Sequence, residues 1–316
     1  MELQSLFRRF DEAILLKRYE ENAELREKRD RIVKRLQVNL KTPFEWFNQG
    51  SYAMGTGIKP VKDDYDIDIG VAFTIDHAKH DPVEVKRWVY NAVSEHTTRV
   101  DWRRPCITVN YMQDGQVIYH VDLAVMAKEK SVWGDETYRL AIGKESSSKD
   151  QREWQPDDRK GFMKAVAEKL SGEDAAQFRR VIRYLKRWKD VHFVREGHAA
   201  PTGLALTVAA NSWFQTNKSG GFLGPAEYDD LAATFSLVRS MRDGFQSVPE
   251  TGGYVQRLVL KFPKEPHDDV LGKMPSQKMK EFRERLDTLL GWLNDAKREQ
   301  SSAPLRLAFG GDFPEK

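Results

Sequence analysis

The 316-residue sequence predicts an α+β protein in which a mixed lobe of strands and helices, with an N-terminal helix, precedes a mostly helical lobe. Three observations support this class. Apolar residues recur at helical spacing in the first forty residues, strand-like runs bounded by turn residues begin at Pro43, and amphipathic helical patterns dominate after residue 153. We expect the mixed lobe to cover residues 1–150 and the helical lobe to cover residues 151–316.

The elements of the first lobe follow from periodicity. A first helix is predicted by the apolar spacing of Leu3, Leu6, Phe7, Phe10 and Ile14, and a highly charged helix then runs to about Leu40. Strands are predicted at "FEWFNQ", "YDIDIGVAFTI", "RPCITVNYM", "VIYHVDLAVMA" and "TYRLAIG", and a helix at "PVEVKRWVYNAVSEH". The residues "QDG" predict a hairpin, and the polar run 144–153 is the predicted linker.

Five helices are predicted in the second lobe. They cover Arg159 to Leu170, Glu173 to Phe193, Pro201 to Thr216, Tyr228 to Phe245 and Ser276 to Lys297. The last carries an apolar stripe on one face, as expected of a helix packed on a core.

Composition excludes several classes of protein. The net charge of +3 is the small difference between 51 basic and 48 acidic residues, so any basic site must be local. The single cysteine, Cys106, rules out an intramolecular disulfide and a cysteine zinc cluster, and its strand-like flanks predict a buried, inert thiol. The charged N-terminus does not read as a signal peptide, and we expect a cytoplasmic protein without a membrane span.

Three acidic residues stand in strand sequences that are otherwise apolar. Asp66 and Asp68 lie about 7 Å apart along one face of their strand, and Asp122 interrupts a second apolar strand. For one such residue, a solvated acid is the simpler reading. Together, three acids from two strands could converge on divalent cations about 4 Å apart, the arrangement used for displacement at phosphorus.

Other candidates have competing interpretations. The Gly50-Ser51 turn could offer backbone amides to a phosphate, although an ordinary strand-to-helix turn has the same pattern. The basic side of the helix from Glu173 to Phe193 reads mainly as a solvated face. His120 is expected to point away from the strand acid as a satisfied core residue, and the seven histidines show no metal-binding spacing.

"GS", "DYDID" and "HVDLAV", in that order, resemble the DNA polymerase β-like nucleotidyltransferase superfamily. "QGSYAMGTGIKPVKDDYDIDIGVAF", "YHVDLAV", "EWQPDDRKGF", "RYLKRWKD" and "FGGDFP" narrow the resemblance to the bacterial cGAS/DncV-like nucleotidyltransferases, or CD-NTases, over about residues 45–316. Members often carry an Asp-Pro pair after the tryptophan, where this chain has "WQPDDRKG". The resemblance implies a polymerase β-like lobe plus a C-terminal helical lobe, with the active site in the cleft between them.

The resemblance also assigns residues. Asp66 and Asp68 become ligands of two Mg²⁺ ions, which Mn²⁺ can replace, and Asp122 becomes the third ligand and helps deprotonate the attacking ribose hydroxyl. The remaining assignments are contacts to nucleotide phosphates, made by Gly50, Ser51, Lys186 and Thr202. Thr202 reads equally well as the N-cap of a helix.

The implied activity is synthesis of a cyclic di- or trinucleotide from ATP, alone or with GTP, as a second messenger in antiphage defence. A separate effector would bind the product, a regulatory partner could be encoded alongside, and a monomer that needs no nucleic acid is expected. A linear oligoadenylate synthase or an RNA-tailing enzyme would share the acids. A catalytically dead interaction protein would be expected to lack one of them.

Overall fold

The computed structural model describes residues 2–16, 20–61, 65–131, 133–194, 198–220 and 226–315. Its longer helices are α1 (Glu2–Ile14), α2 (Glu20–Asn39), α3 (Gly50–Met54), α4 (Pro82–Val93), α5 (Arg159–Glu168), α6 (Gly172–His192), α7 (Gly203–Trp213), α8 (Asp230–Asp243), α9 (Ser276–Glu299) and α10 (Ala303–Phe309). None of the described helices combines the length and apolarity needed to cross a membrane.

Eleven strands are found in the described part of the chain. They are β1 (Phe44–Gln49), β2 (Tyr65–Thr74), β3 (Arg99–Trp102), β4 (Ile107–Gln113), β5 (Gln116–Lys130), β6 (Glu136–Ile142), β7 (Glu153–Pro156), β8 (Lys218–Ser219), β9 (Glu227–Tyr228), β10 (Phe245–Glu250) and β11 (Gly253–Leu258). The first seven form one sheet, and the others form two two-stranded sheets.

The seven-stranded sheet is mixed, as predicted for the first lobe. Its order is β1-β2-β5-β4-β3, with β6 and β7 continuing from the second half of β5. β2 and β5 are parallel, whereas the other neighbouring pairs are antiparallel. The hairpin predicted at "QDG" is confirmed, since Asp114 and Gly115 have the positive φ values, 50° and 78°, that a two-residue type I′ turn needs.

Two large apolar cores support the two lobes. One lies between the sheet and helices α2 and α4, and includes the fully buried Leu25, Ile69 and Val89. The other joins the C-terminal helices, and α1 contributes Phe7 and Phe10 to it, both with no exposed surface. The first helix therefore packs with the helical part of the molecule. The boundary between the lobes at residue 150 stays a prediction.

The structure changes two details of the predicted layout and agrees with a third. The run 144–153 does not link the lobes, because it connects β6 to β7 and these two strands pair in the same sheet. The helix predicted to end at Phe245 ends at Asp243, and the β10–β11 hairpin follows. Cys106 is buried as expected, and burial raises the pKa of its thiol to about 12.

Candidate active site

Three acidic side chains lie close together on two neighbouring parallel strands. On β2, Asp66 and Asp68 alternate with the fully buried Ile67 and Ile69, so both carboxylates leave the same face of the sheet. On β5, Asp122 is the register partner of Asp68. The fold thus brings together the three acids singled out in the sequence.

The electrostatics of this cluster favour a bound cation. Burial, together with the charges of Asp66 and Asp122, raises the pKa of Asp68 to about 7, although Arg159 and His120 act in the opposite direction. Carboxylates crowded in this way are stabilised by a positive ion between them. Carboxylate oxygens are also the ligands that Mg²⁺ and Mn²⁺ prefer, so the donor set fits such ions.

Asp122 is oriented by its neighbours on the sheet. Thr108 of β4 is its register partner on the other side, and the Thr108 hydroxyl donates a hydrogen bond to Oδ1 of Asp122. The Arg103 guanidinium lies 3.9 Å from Oδ2. Thr108 has no exposed surface, so this hydroxyl is available to the carboxylate rather than to bulk water.

Gly50 approaches the acids more closely than any residue with a side chain could. It begins α3 with a φ of +65°, directly after Gln49, the β1 register partner of Asp68. A Cβ atom placed on Gly50 would lie 1.8 Å from Oδ2 of Asp68. The close approach and the positive φ both require glycine here. Ser51 follows within the first turn of α3.

Lys186 reaches this region from the helical part of the molecule. Its ammonium donates to the carbonyl of Thr56 at 2.9 Å and to the Thr56 hydroxyl at 3.1 Å. Burial, and then the neighbouring Lys189 and Arg183, lower the pKa of Lys186 to about 7. The residue is 7% exposed, so a nearby anion would meet a poorly hydrated cation.

Thr202 is the N-cap of α7. Its hydroxyl oxygen accepts a hydrogen bond from the backbone N–H of Ala205 at 3.1 Å, and its φ and ψ are extended. The structure confirms the capping interpretation, and Thr202 also lines a cavity beside the acids.

A cavity of about 570 Å³ separates the sheet from α6 and α7. This volume is within the usual range for small-ligand sites. Six of the seven predicted site residues line it, namely Gly50, Ser51, Asp66, Asp68, Lys186 and Thr202. Asp122 adjoins the cavity through its pairing with Asp68.

The structure adds two residues to the site that sequence reasoning did not assign to it. The expectation that His120 points away from the strand acid is wrong, because residues 120 and 122 are two apart and share one face of β5. Its Nε2 lies 3.1 Å from Oδ1 of Asp66. Arg159 also lines the cavity, with Nε 3.0 Å from Asp157. The period of the strand could have revealed His120, whereas Arg159 arrives through long-range packing.

Comparison with known proteins agrees with this geometry. Residues 44–126 match the model of the family described as "Cyclic GMP-AMP synthase DncV-like, nucleotidyltransferase domain". CdnG from Bradyrhizobium diazoefficiens, solved with GTP, is 15% identical over 98% of this chain and 95% of its own, with a TM-score of 0.70. CdnC from E. coli MS115-1, solved with ATP, is 17% identical over 98% of both chains, with a TM-score of 0.65. DncV from Vibrio cholerae, solved with GTP, is 16% identical over 86% of this chain and 69% of its own, with a TM-score of 0.61.

These matches identify one domain of the chain and the fold of the whole. Residues 44–126 form a DncV-like nucleotidyltransferase domain, which contains β1, β2, β4 and the acids of β2 and β5. The chain as a whole has the two-lobe α+β fold of the bacterial CD-NTases among these structures.

Proposed function

We propose that the chain is a CD-NTase that makes a cyclic di- or trinucleotide from NTPs, with ATP, alone or together with GTP, as substrate. The observation that carries the proposal is the meeting of Asp66, Asp68 and Asp122 beside one cavity, opposite the buried Lys186. Acids on one wall suit divalent cations, and a lysine on the other suits a triphosphate.

Asp66, Asp68 and Asp122 would hold two Mg²⁺ ions, which Mn²⁺ could replace. Bound there, the ions would supply Lewis-acid stabilisation of charge on the α-phosphate and on the departing pyrophosphate. Asp122 has a proton-accepting carboxylate oriented by Thr108. It would help remove the proton of a ribose hydroxyl that attacks the α-phosphate, and the P–O bond to pyrophosphate would break as the new P–O bond forms.

The remaining residues would position the donor nucleotide. Gly50 allows the backbone to pass directly beside Asp68, so the amides of Gly50 and Ser51 could contact a phosphate bridged to the acids. Lys186 would give its ammonium to the same triphosphate as a point charge. Thr202 would fix the start of α7 as its N-cap. A direct contact of its hydroxyl with the triphosphate stays a prediction.

The biological role is proposed from the family. The product would be a second messenger in antiphage defence, bound by a separate effector receptor. A regulatory partner is also proposed, since E. coli CdnC has been solved in a complex with HORMA-deltaN. We propose that the protein is a monomer in the cytoplasm, where NTPs are available. It would require neither a nucleic acid nor a membrane.

Product analysis tests the proposal. The protein is incubated with all four NTPs and Mg²⁺ or Mn²⁺, treated with phosphatase, and the products are identified by mass spectrometry. A phosphatase-resistant cyclic product is expected, because ring closure removes the terminal phosphate monoester. Only linear, phosphatase-sensitive products would favour an oligoadenylate synthase or a tailing enzyme instead.

A further inference from the structure

We propose that His120 is a nitrogen ligand of a divalent cation bound between Asp66 and Asp122, and that this imidazole makes the site prefer Mn²⁺ over Mg²⁺. The inference rests on the proposed metal site and adds a ligand that the acid triad does not contain.

The placement of His120 follows from sheet register. His120 is the β5 partner of Asp66, two pairs before the Asp68–Asp122 pair. The imidazole therefore lies beside Asp66 on the neighbouring strand and on the same face of the sheet as Asp122. Its side chain is 14% exposed, with Nε2 3.1 Å from Oδ1 of Asp66.

The donor atoms are close enough to share one ion. One ligand atom from each of Asp66, His120 and Asp122 lies within 4.8 Å of the other two. Ligand atoms on opposite sides of a Mg²⁺ ion are about 4 Å apart, so small side-chain rotations would bring all three into coordination. A His–Asp ion pair would also explain the 3.1 Å distance, and the two arrangements differ in whether imidazole contacts the metal.

Ligand chemistry gives the metal preference. Mg²⁺ strongly favours oxygen ligands and an ideal octahedral geometry, whereas imidazole binds later divalent metals more readily. A set of carboxylates plus one imidazole nitrogen therefore increases the affinity for Mn²⁺ relative to Mg²⁺. The nitrogen ligand is also detectable without any turnover.

A second cluster in the described residues provides a matched control. One ligand atom from each of Asp76, His77 and Glu129 also lies within 4.8 Å of the other two. This cluster has internal partners, since Asp76 caps the 3₁₀ turn at Ala78 and lies 3.1 Å from Lys79, while Nδ1 of His77 contacts Glu129. Any Mn²⁺ bound there would be removed by His77→Ala and left intact by changes at His120.

The experiment is electron spin-echo envelope modulation (ESEEM) spectroscopy of the nucleotide-free protein with less than one equivalent of Mn²⁺. We expect ¹⁴N modulation from bound Mn²⁺ in the wild type and in His77→Ala, and its loss in His120→Gln. Replacing histidine nitrogen with ¹⁵N in the wild type should alter the modulation, a result that does not depend on any variant folding. The Mn²⁺ dissociation constant should rise about tenfold in His120→Gln, with less than a twofold change for Mg²⁺ measured by competition.

The outcomes separate this inference from the proposed function. Tight Mn²⁺ binding without ¹⁴N modulation, or modulation lost only in His77→Ala, would overturn the role of His120 while leaving the acid site intact. Failure of the wild type to bind Mn²⁺ at millimolar concentration would overturn both.

Discussion

Replacing Lys186 with methionine should stabilise the nucleotide-free protein while weakening its use of NTPs. Lys186 is 7% exposed, and the pKa of its ammonium falls from the ordinary 10.5 to about 7. Such a difference between the folded and unfolded pKa values costs the folded state about 4 kcal/mol at pH 7. Lys186→Met removes this cost but loses two hydrogen bonds to Thr56, worth about 1 kcal/mol each, so a net gain of about 1–2 kcal/mol is expected.

The gain should depend on pH in a defined direction. Between pH 7 and pH 10.5 the unfolded lysine binds more protons than the folded one, so this contribution makes the wild type more stable as pH rises. The advantage of Lys186→Met should therefore be largest at pH 7 and below, disappear at about pH 9, and reverse by about pH 10, where mainly the loss of the two hydrogen bonds remains. The measurement is the unfolding free energy in urea at several pH values. The difference between variant and wild type at each pH cancels the titration of other groups.

Lys189→Met is the matched control for this experiment. Lys189 lies on the same helix and lines the same cavity, but its ammonium is 2.6 Å from the carboxylate of Asp190. Lys189→Met loses this ion pair as well as the repulsion of Lys186, so no net stabilisation is expected. In activity assays, Lys186→Met should raise the NTP concentration for half-maximal rate at least tenfold, with much of the rate recovered at saturation. Destabilisation by Lys186→Met at pH 7 with no change across the pH range would refute the reasoning, as would unchanged NTP dependence.

Three further substitutions have distinct expected results. Gly50→Ala should lower the unfolding free energy in urea by about 1–3 kcal/mol and abolish synthesis, because the added Cβ meets Asp68; an active, equally stable variant would contradict the close approach. Thr108→Val should lower the saturated rate by about tenfold through loss of the hydrogen bond to Asp122, and Thr108→Ser should keep the wild-type rate. Equal rates in both variants would show that the hydroxyl is dispensable. Thr202→Val should cost about 1 kcal/mol of stability as a lost N-cap, whereas Thr202→Ser should not; if Val alone also raises the NTP requirement, the hydroxyl contacts phosphate as well.

Much of the site could be predicted because its residues follow local rules. Period-two alternation places Asp66 and Asp68 on one face of β2, and an acid within an apolar strand draws attention to Asp122. The register between β2 and β5, which brings Asp68 beside Asp122, could not be predicted from the sequence of either strand alone. The same alternation places His120 beside Asp122, so that residue was within reach of sequence reasoning.

The elements that were missed depend on contacts distant in sequence. Arg159 enters the cavity only because α5 packs near the sheet. Helix α1 joins the helical core through the rings of Phe7 and Phe10, which pack against Tyr184. The β10–β11 hairpin has short, mostly exposed strands that carry a weak apolar pattern. Helices with long apolar stripes, such as α9, could be predicted to within about two residues at either end.

We propose that Asp66, Asp68 and Asp122 form the catalytic centre of nucleotidyl transfer. Pyrophosphate release from NTPs, compared between wild type and an Asp66→Asn, Asp68→Asn double variant, tests it most directly. The wild type should release pyrophosphate only with Mg²⁺ or Mn²⁺, and the double variant should release none, since one electrostatic group can account for about 10²–10³ in rate. The variant should keep its fold and match or exceed the metal-free stability of wild type, because crowding of the acids is relieved. Pyrophosphate release by a folded double variant at the wild-type rate would contradict the claim.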